Sequence, residues 1–367
     1  MSSTQPGIDL MSLLNVASYM FFFVFILYGQ RIQLSLMANG LRKSLSRLEV
    51  MKNTASKEAL TYFSDKGSTA QGLSDRIGRV LDYVTIMPES MDPRGIVGKL
   101  EHITNTGSDV LRAEVSRLLD GADRTSISIG ENLLEIASAL HQIHKIARHY
   151  YLVAKKTNSY LTLVQLQMSM PQILKEAEAL VGAVDAIKQA QPIGDGIGPL
   201  VASRFMTNLP IQPVAKDTVV SQTDYKGRTL LVLKAEGPMG YVGEPGEGMK
   251  RIVEEMGISI NDIIMIDAAL KLEGEKTGEV AEGVGAAIGG IGVDKYKIEE
   301  LSSKHNIPVY AILVKQSEVE AISAMKKEIS DAAETVVSRV ARIIEEKTKV
   351  GERILLAGIG NTLGIGQ

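Results

Sequence analysis

A long uncharged segment near the N-terminus constrains the fold more than any other feature of this sequence. Residues 10–30, LMSLLNVASYMFFFVFILYGQ, carry no charged side chain and are dominated by Leu, Phe, Val, Ile and Met. As a helix that rises about 1.5 Å per residue, such a segment would cross a hydrocarbon layer roughly 30 Å thick. The pattern therefore predicts a retained single-pass transmembrane anchor over residues 10–30, within an N-terminal segment 1–30.

The charges around this segment predict its orientation. No Lys or Arg precedes it, whereas Arg31, Arg42 and Lys43 follow it. Because positively charged flanks stay on the cytoplasmic side, we expect a cell-membrane protein with its N-terminus outside and its later domains cytoplasmic. A signal peptide would carry a positive n-region and small residues at a cleavage site, and the segment has neither.

The composition excludes several classes of function. The 367-residue chain contains no cysteine, which rules out disulfides, cysteine-ligated zinc, iron–sulfur clusters and thiol catalysis. Its formal net charge of -3 and the lack of a basic stripe give no attraction to nucleic acid phosphates. Nucleic acid is therefore not an expected partner.

The region after the apolar segment has the periodicity of helices. Its first apolar stripe recurs at spacings of three and four residues, which places its members on one helix face: Leu34, Met37, Leu41, Leu45 and Leu48. Similar stripes continue toward residue 190, between clusters of Ser, Thr, Asn and Asp that break and cap helices. We predict an all-α domain over residues 31–192 and a homo-oligomer formed through this helical region.

A glycine-rich motif marks the boundary with the second domain, residues 193–367. Within QPIGDGIGPLVASRF, the residues GDGIGP resemble a signature of isocitrate and isopropylmalate dehydrogenases. In that family the motif follows an early strand and continues with Glu, whereas here a helical segment precedes it and Leu200 follows it. A loop between two domains is the better interpretation.

From about residue 215 the pattern changes to apolar strands that alternate with helices. DTVVSQTDYKGRTLLVLKAEG predicts two strands joined by a turn, and DIIMIDA, IPVYAILVK and RILLAGIG predict three more. Helices are expected near 247–256, 295–304 and 317–347. This alternation predicts an α/β domain with an open, mostly parallel, doubly wound sheet, preceded by the all-α domain and one transmembrane helix.

Three glycine-rich segments follow strands of this predicted sheet. EGPMGYVGEPGEG, EGVGAAIGGIG and GIGNTLGIGQ would all meet at its carboxyl edge, where open α/β sheets bind ligands. None is a Rossmann or P-loop fingerprint, because the strand spacing and the GK[ST] sequence are missing. The candidate ligand-binding residues are Gly237, Gly240, Gly243, Gly246, Asp267, Gly285, Gly289, Gly290, Lys234, Lys315 and Asn361.

The charges of these loops limit the ligand. Carboxylates such as Glu236, Glu244 and Asp267 would repel bare phosphate unless a divalent metal or the strand-end residues Lys234 and Lys315 compensated. We therefore expect a small molecule or a nucleotide, with a divalent metal as candidate cofactor and no metal ligand assigned. Ordinary surface ion pairs are the alternative for the charged residues, and the sequence leaves open whether the chain is an enzyme.

Several segments together resemble one protein family. MDPRGIVGKLEHI, PIGDGIGPLVASRF, GPMGYVGEPGEG, GAAIGGIGVDKYKIEE and GIGNTLGIGQ look like the archaeal domain-of-unknown-function family 1512. The resemblance covers nearly the whole chain and implies a membrane-linked protein of archaeal origin. It supplies no established activity, so no catalytic residue follows from it.

A second likeness offers a different function. IIMIDAALKLEGEKTG and LLAGIGNTL resemble, in reversed order, segments of hydrogenase-maturation-type endopeptidases. Gly364 and Ile365 stand where acidic residues of that family would follow, and His305 has no evident role as a metal ligand. Three hypotheses therefore remain: a small-molecule-binding domain, a membrane-anchored assembly or scaffold protein without catalysis, and a divergent relative of those endopeptidases.

Overall fold

The described part of the chain forms two compact units. The computed structural model describes residues 10–67, 72–83, 95–290 and 292–367. One unit contains the chain up to Met51 together with Gln142–Lys175, and the other contains Lys52–His141 together with Glu176–Gln367. The predicted division into residues 1–30, 31–192 and 193–367 stays a prediction.

The first half of the described chain is helical, as expected from its apolar periodicity. Its helices are α1 (Leu10–Asp65), α2 (Leu73–Leu81), α3 (Ile96–Leu118), α4 (Arg124–Thr157) and α5 (Tyr160–Lys188). In the unit that contains the start of α1, Leu41, Leu45 and Leu48 are all buried. Three of the five residues of the stripe that we assigned to self-association are thus covered, whereas Leu34 and Met37 are half-buried. The predicted homo-oligomer stays a prediction.

The predicted membrane anchor is wrong. Within the described residues, no helix combines the length and the apolar character that crossing a bilayer requires. Polar residues such as Asn15 and Ser18 interrupt the apolar part of α1, and the same helix continues through Arg42 and Lys43. We therefore remove the transmembrane helix over residues 10–30 from the fold class. The single-pass cell-membrane location that was derived from it is wrong as well.

The second half of the chain is a mixed α/β domain. After a 3₁₀ turn at Gly194–Gly196, its helices are α6 (Ile197–Met206), α7 (Pro245–Lys250, continued by a π-helical turn Arg251–Glu255), α8 (Val293–His305), α9 (Glu318–Ile322) and α10 (Lys327–Lys347). Its strands are β1 (Gln212–Ala215), β2 (Thr218–Tyr225), β3 (Arg228–Ala235), β4 (Asp262–Leu270), β5 (Val280–Val284), β6 (Val309–Gln316) and β7 (Arg353–Gly358). The helix expected over 317–347 is therefore two helices.

The seven strands form one sheet in the order β1-β2-β3-β7-β4-β6-β5. The central strands β3, β7, β4 and β6 pair in parallel, whereas β1, β2 and β5 pair antiparallel with their neighbours. The expectation of a mostly parallel sheet was thus too strong. The sequence did not predict β1, which has only four residues. It also did not predict β5, because the strand sequence VAEGV lacks the apolar run of a core strand.

Helices cover both faces of the sheet, and each face has its own core. On the face that we call the α6 face, Ile197 and Val201 of α6 and Val336 of α10 pack with Val232 and Leu356. On the opposite α8 face, Met249 of α7 and Ile298 of α8 pack with Leu233 and Met265. Because side chains alternate along a strand, this assignment also fixes the direction of the polar residues at the strand ends.

Candidate functional site

A cavity of about 480 Å³ opens at the carboxyl ends of β4 and β7. Its walls come from the end of β4, the loop after β7, the loops that lead into α7 and α8, and one side of α3. We call it the carboxyl-edge cavity. Its volume lies within the range of about 300–1,000 Å³ that is usual for small-molecule sites.

Asp267 lies at the base of this cavity. Ile263 and Met265 of β4 point to the α8 face, so Asp267 points there too. Its side chain is only 7% exposed, and its Oδ1 accepts a hydrogen bond of 2.7 Å from the N–H of Ala268. Burial, with repulsion from Asp195 in second place, raises the pKa of Asp267 to about 8, although the backbone N–H groups of Ala268 and Gly289 oppose the shift.

Asp195 reaches the same cavity from the GDGIGP motif. It sits in the 3₁₀ turn before α6, where its Oδ2 accepts a hydrogen bond of 2.8 Å from the N–H of Asn361. Burial raises the pKa of Asp195 above its usual range, and the N–H of Asn361 opposes that shift. Two carboxylates of raised pKa, the buried Asp267 and the half-buried Asp195, therefore line one cavity.

Glycines around Asp195 let the backbone pack closely enough to hold it there. A Cβ on Gly198 would lie 2.2 Å from the carbonyl oxygen of Ile359, and a Cβ on Gly360 would lie 2.0 Å from that of Asp195. Gly360 also has a φ of +127°, which side chains rarely adopt. The motif that we interpreted as a linker thus packs against the end of β7 and positions a carboxylate.

Further carboxylates line the wall near α8. The Oδ1 of Asp294 accepts a hydrogen bond of 2.8 Å from the N–H of Gly246, and the Oε1 of Glu244 accepts one of 2.9 Å from the side chain of Asn105. Burial raises the pKa of Asp294 and that of Glu244, and these hydrogen bonds oppose both shifts. Glu101 completes the acidic wall.

Helix α3 closes one side of the cavity through polar contacts that recur along a single face. Glu101 binds Lys297 of α8 with 2.6 Å between Oε1 and Nζ, and Asn105 binds Glu244. Further along the helix, Asp109 contacts Lys216 and Arg112 contacts Asp217. Sequence reasoning missed this wall. The spacing of polar residues at 101, 105, 109 and 112 is the signal that could have indicated it.

The predicted glycines divide into two groups. Gly243, Gly289 and Gly290 line the cavity, and Gly246 donates to Asp294 beside it. Gly237, Gly240 and Gly285 do not line it. A Cβ on Gly237 would lie 1.9 Å from the carbonyl oxygen of Ile365, and one on Gly240 would lie 3.2 Å from the side chain of Asn132, whereas Gly285 follows β5 next to open space.

The two predicted lysines lie away from the cavity. Lys234 follows Val232 in the alternation of β3, so its side chain points to the α6 face, where it is fully buried. Its Nζ donates to the carbonyl of Ala235 at 3.1 Å, and burial lowers its pKa to about 8. Lys315 pairs with Glu275 at 3.4 Å. Neither compensates the carboxylates as we expected.

Asn361 has a supporting position at the edge of the site. Its Nδ2 donates to the carbonyl of Gly240, and its Oδ1 accepts from the N–H of Leu363, both at 2.8 Å. Since its own N–H binds Asp195, Asn361 ties the loop after β7 to the loop after β3 and orients a cavity carboxylate. It is a positioning residue in this structure.

The chemistry of the cavity follows from its acidic lining. The described residues that line it include five carboxylates and no Lys, Arg or His: Glu101, Asp195, Glu244, Asp267 and Asp294. In the described part of the chain, no group of three or more acidic or histidine side chains is arranged to hold a metal ion. The arrangement can accept hydrogen bonds, balance a positive charge, and take up or release a proton at Asp267.

Comparison with known proteins identifies related sequences without an activity. Residues 15–190 match the model described as protein of unknown function (DUF1512) N-terminal domain, and residues 193–366 match the model described as domain of unknown function (DUF1512) C-terminal. No curated protein matches the chain. The family resemblance that the sequence motifs indicated is confirmed, and the matches carry no statement about source organism or membrane.

Proposed function

The chain belongs to domain-of-unknown-function family 1512, and on this premise, which supplies no activity, we propose that its α/β domain binds a small polar molecule in the carboxyl-edge cavity. Asp267 and Asp195 contact the bound molecule, and α3 covers it. The observation that carries the proposal is the cavity of about 480 Å³ in which both carboxylates converge.

The cost of burying these carboxylates supports a binding role. A buried acid without a compensating charge destabilises the fold, so such groups concentrate where a site requires them. Asp195 adds to the cost of ionising Asp267, since its charge contributes to the raised pKa of Asp267. Both lie at the carboxyl ends of parallel strands or in the adjoining turn, the usual place for a ligand in an open α/β sheet.

Nucleotides fit this cavity less well than the sequence suggested. A phosphate group would meet five carboxylates in the described lining, and neither Lys234 nor Lys315 reaches the cavity to offset them. Nucleotide binding would therefore depend on a divalent cation carried with the nucleotide. A polar molecule without negative charge needs no such partner.

The other two hypotheses gain less from the structure. Three of the leucines chosen for a scaffold interface, Leu41, Leu45 and Leu48, are buried in the chain itself. The two segments that resemble endopeptidases do meet, because β4 and β7 are neighbours, but the described residues hold no three-ligand metal set for hydrolysis. We therefore keep small-molecule binding as the proposed function.

A thermal-shift screen of the full chain tests the proposal. The compounds are amines, polyols, small acids, nucleotides with and without Mg²⁺, and divalent metals. A ligand at a hundred times its Kd adds about 2.7 kcal/mol to the free energy of unfolding, which gives a shift of several degrees.

The matched variants are Asp267→Asn and Asp262→Asn. Asp262 is as buried as Asp267 and begins the same strand, at the opposite edge of the sheet from the cavity. We expect Asp267→Asn to abolish the shift and Asp262→Asn to retain it. No shift with any compound, or equal loss in both variants, would refute binding in this cavity.

A further inference from the structure

We propose that the carboxyl-edge cavity takes a small organic cation, a protonated amine or guanidinium, for which Asp267 and Asp195 are the counter-ions. This inference rests on the proposed function and adds the chemical class of the ligand. Four observations on the described residues carry it: the charge of the lining, the missing partner of Asp267, the absence of a metal-binding arrangement, and the apolar part of the wall.

The described lining of the cavity contains acidic side chains and no basic side chains. None of its residues is Lys, Arg or His. Two lysines act on lining carboxylates from outside the lining, Lys297 on Asp294 and Lys216 on Glu244. Lys297 is already engaged by Glu101 and Glu247, both within salt-bridge distance of its Nζ, and Lys216 is engaged by Asp109. When the remaining carboxylates are ionised, the positive charge that balances them would therefore come from outside the described residues.

Glu320, a second buried acid of the α/β domain, has a cation partner of the kind that Asp267 lacks. Glu320 is 6% exposed, nearly the same as the 7% of Asp267. Its Oε1 accepts from Lys326 and from Thr277, both at 2.9 Å. Although burial opposes ionisation, hydrogen bonds from the N–H of Ser317 and from these side chains lower its pKa to about 2.

Among the described residues, Asp267 has no equivalent of Lys326. Its hydrogen bonds come from backbone N–H groups, and the charged group that most affects its pKa is another carboxylate, Asp195. Buried carboxylates in proteins are normally paired with a cation. Glu320 and Asp267 thus have similar exposure, but Glu320 is paired with a cation and Asp267 opens into a cavity. The proposal therefore puts the cation partner of Asp267 in the cavity.

The positive end of helix α8 does not reverse this balance. Its first turn lines the cavity, and a helix N-terminus attracts anions with the equivalent of roughly half a charge. Asp294 already lies in that turn as its acidic residue. Half a positive charge is small against the carboxylates of the lining, so an anionic ligand remains disfavoured.

An organic cation fits the cavity better than a metal ion. The carboxylates are spread around the walls, and the described residues contain no group of three that could hold a metal. Val242, Pro245, Ile288, Val293 and Ile359 also line the cavity. Such a wall suits a molecule with a hydrocarbon body and a charged end, and the volume admits more than a bare ion.

Binding of a cation should release a proton. The charge of Asp195 acts on Asp267, and Asp294, Glu244 and Glu101 also line the cavity. Lys297 and Lys216 are the lysines that act on these carboxylates. With a pKa of about 8, Asp267 holds a proton at pH 7, and the charged ligand replaces it. Apparent affinity should rise with pH from 6 to 8 and level off above, for a ligand that remains protonated.

Isothermal titration calorimetry of the full chain with a matched four-carbon series tests the ligand class. The probes are 1,4-diaminobutane, agmatine, 1,4-butanediol and succinate, with MgCl₂ titrated separately. We expect the diamine or agmatine to bind and the diol and succinate to fail. Measurement at pH 7 in buffers of different ionisation enthalpy should show proton release on binding.

The variants place the binding at the two carboxylates. Loss of a charged hydrogen-bond partner weakens binding about ten- to hundredfold, so we expect this loss for Asp267→Asn and for Asp195→Asn. Asp262→Asn should bind like the unmodified chain. Thermal unfolding of each variant shows whether it is folded. If one of the two cavity variants does not fold, the other variant still tests the proposal.

The outcomes separate this inference from the proposed function. Binding of succinate, the diol or a nucleotide without binding of either amine would overturn the cation class and leave small-molecule binding standing. Binding of Mg²⁺ alone, lost in Asp267→Asn, would also overturn it. If no probe binds here and no compound of the thermal-shift screen stabilises the chain, both proposals fail.

Discussion

The two faces of the sheet differ most at its carboxyl edge. On the α6 face the edge is closed, because α6 packs so near β7 that a Cβ on Gly358 would lie 2.4 Å from the carbonyl oxygen of Gly198. On the α8 face the edge is open as a cavity, and a Cβ on Gly289 or Gly290 would meet no atom within 4 Å. Gly198 and Gly358 thus serve close packing on the α6 face, whereas Gly289 and Gly290 line the cavity without such packing.

This contrast shows what a glycine-rich loop does and does not indicate. The glycines of GDGIGP and GIGN bring two backbones together, and a ligand is not needed to explain them. The glycines of the loop before α8 have no packing reason, and they lie beside Asp267. Three predictions test the contrast, beginning with the closed face.

The largest effect is expected for Gly198→Ala. The added Cβ would lie 2.2 Å from the carbonyl oxygen of Ile359 and 2.5 Å from that of Ile266. Both are backbone atoms of the core edge and have little freedom to move, so we expect a loss of about 3 kcal/mol or more in the free energy of unfolding. Chemical denaturation followed by circular dichroism measures it. A stability equal to that of the unmodified chain would contradict the closed packing.

A stabilisation is expected for Lys234→Met, on the same face. The folded-state pKa of Lys234 is lowered from 10.5 to about 8, so the native state binds fewer protons than the unfolded state between these values. Stability therefore rises with pH from about 8 to 10.5, and the full cost of the buried charge applies at pH 7.

Methionine has a similar length and no charge, so the variant should gain on the order of 3 kcal/mol at pH 7. The gain should decrease from about pH 8 and be absent above about pH 10.5. Denaturation midpoints across this pH range measure it, and a destabilised variant at pH 7 would show that the ammonium group has a stabilising partner instead.

The smallest effect is expected for Gly289→Ala, on the open face. The new Cβ meets nothing within 4 Å, and Gly289 does not have a positive φ. We expect a change within about 0.5 kcal/mol, measured in the same denaturation experiment as Gly198→Ala. A loss as large as that of Gly198→Ala would mean that both glycine groups have the same packing role.

Local signals predicted part of the candidate site, and its other residues are brought together by long-range contacts. Asp267 was predictable because it ends an apolar run that only a core strand explains. Asp195 was missed because its motif follows a helix and looks like a linker; its role depends on contact with Asn361, 166 residues away. The contact of Asn105 with Glu244 spans 139 residues, and no local pattern fixes such a pairing.

The fold was predicted with the same limits. The hairpin of β2 and β3 follows from its turn, where Lys226 and Gly227 both have positive φ. The antiparallel pairing of β5 at the sheet edge was not predicted, so Gly285, which follows β5, was placed at the ligand edge and lies elsewhere. The membrane anchor was predicted from the length, the apolar composition and the absence of charge of residues 10–30, and the polar residues within that segment were given too little weight.

The pKa of Asp267 tests the central claim most directly. Carboxyl ¹³C chemical shifts of the full chain, recorded from pH 3 to 10 and assigned with Asp267→Asn, would report its titration. The account predicts an Asp267 pKa of about 8 that decreases in Asp195→Asn, since one source of repulsion is then removed. If Asp267 instead titrates near pH 4 and its pKa does not change in Asp195→Asn, the result contradicts the proposed site. That site depends on two interacting carboxylates that have no cation partner among the described residues.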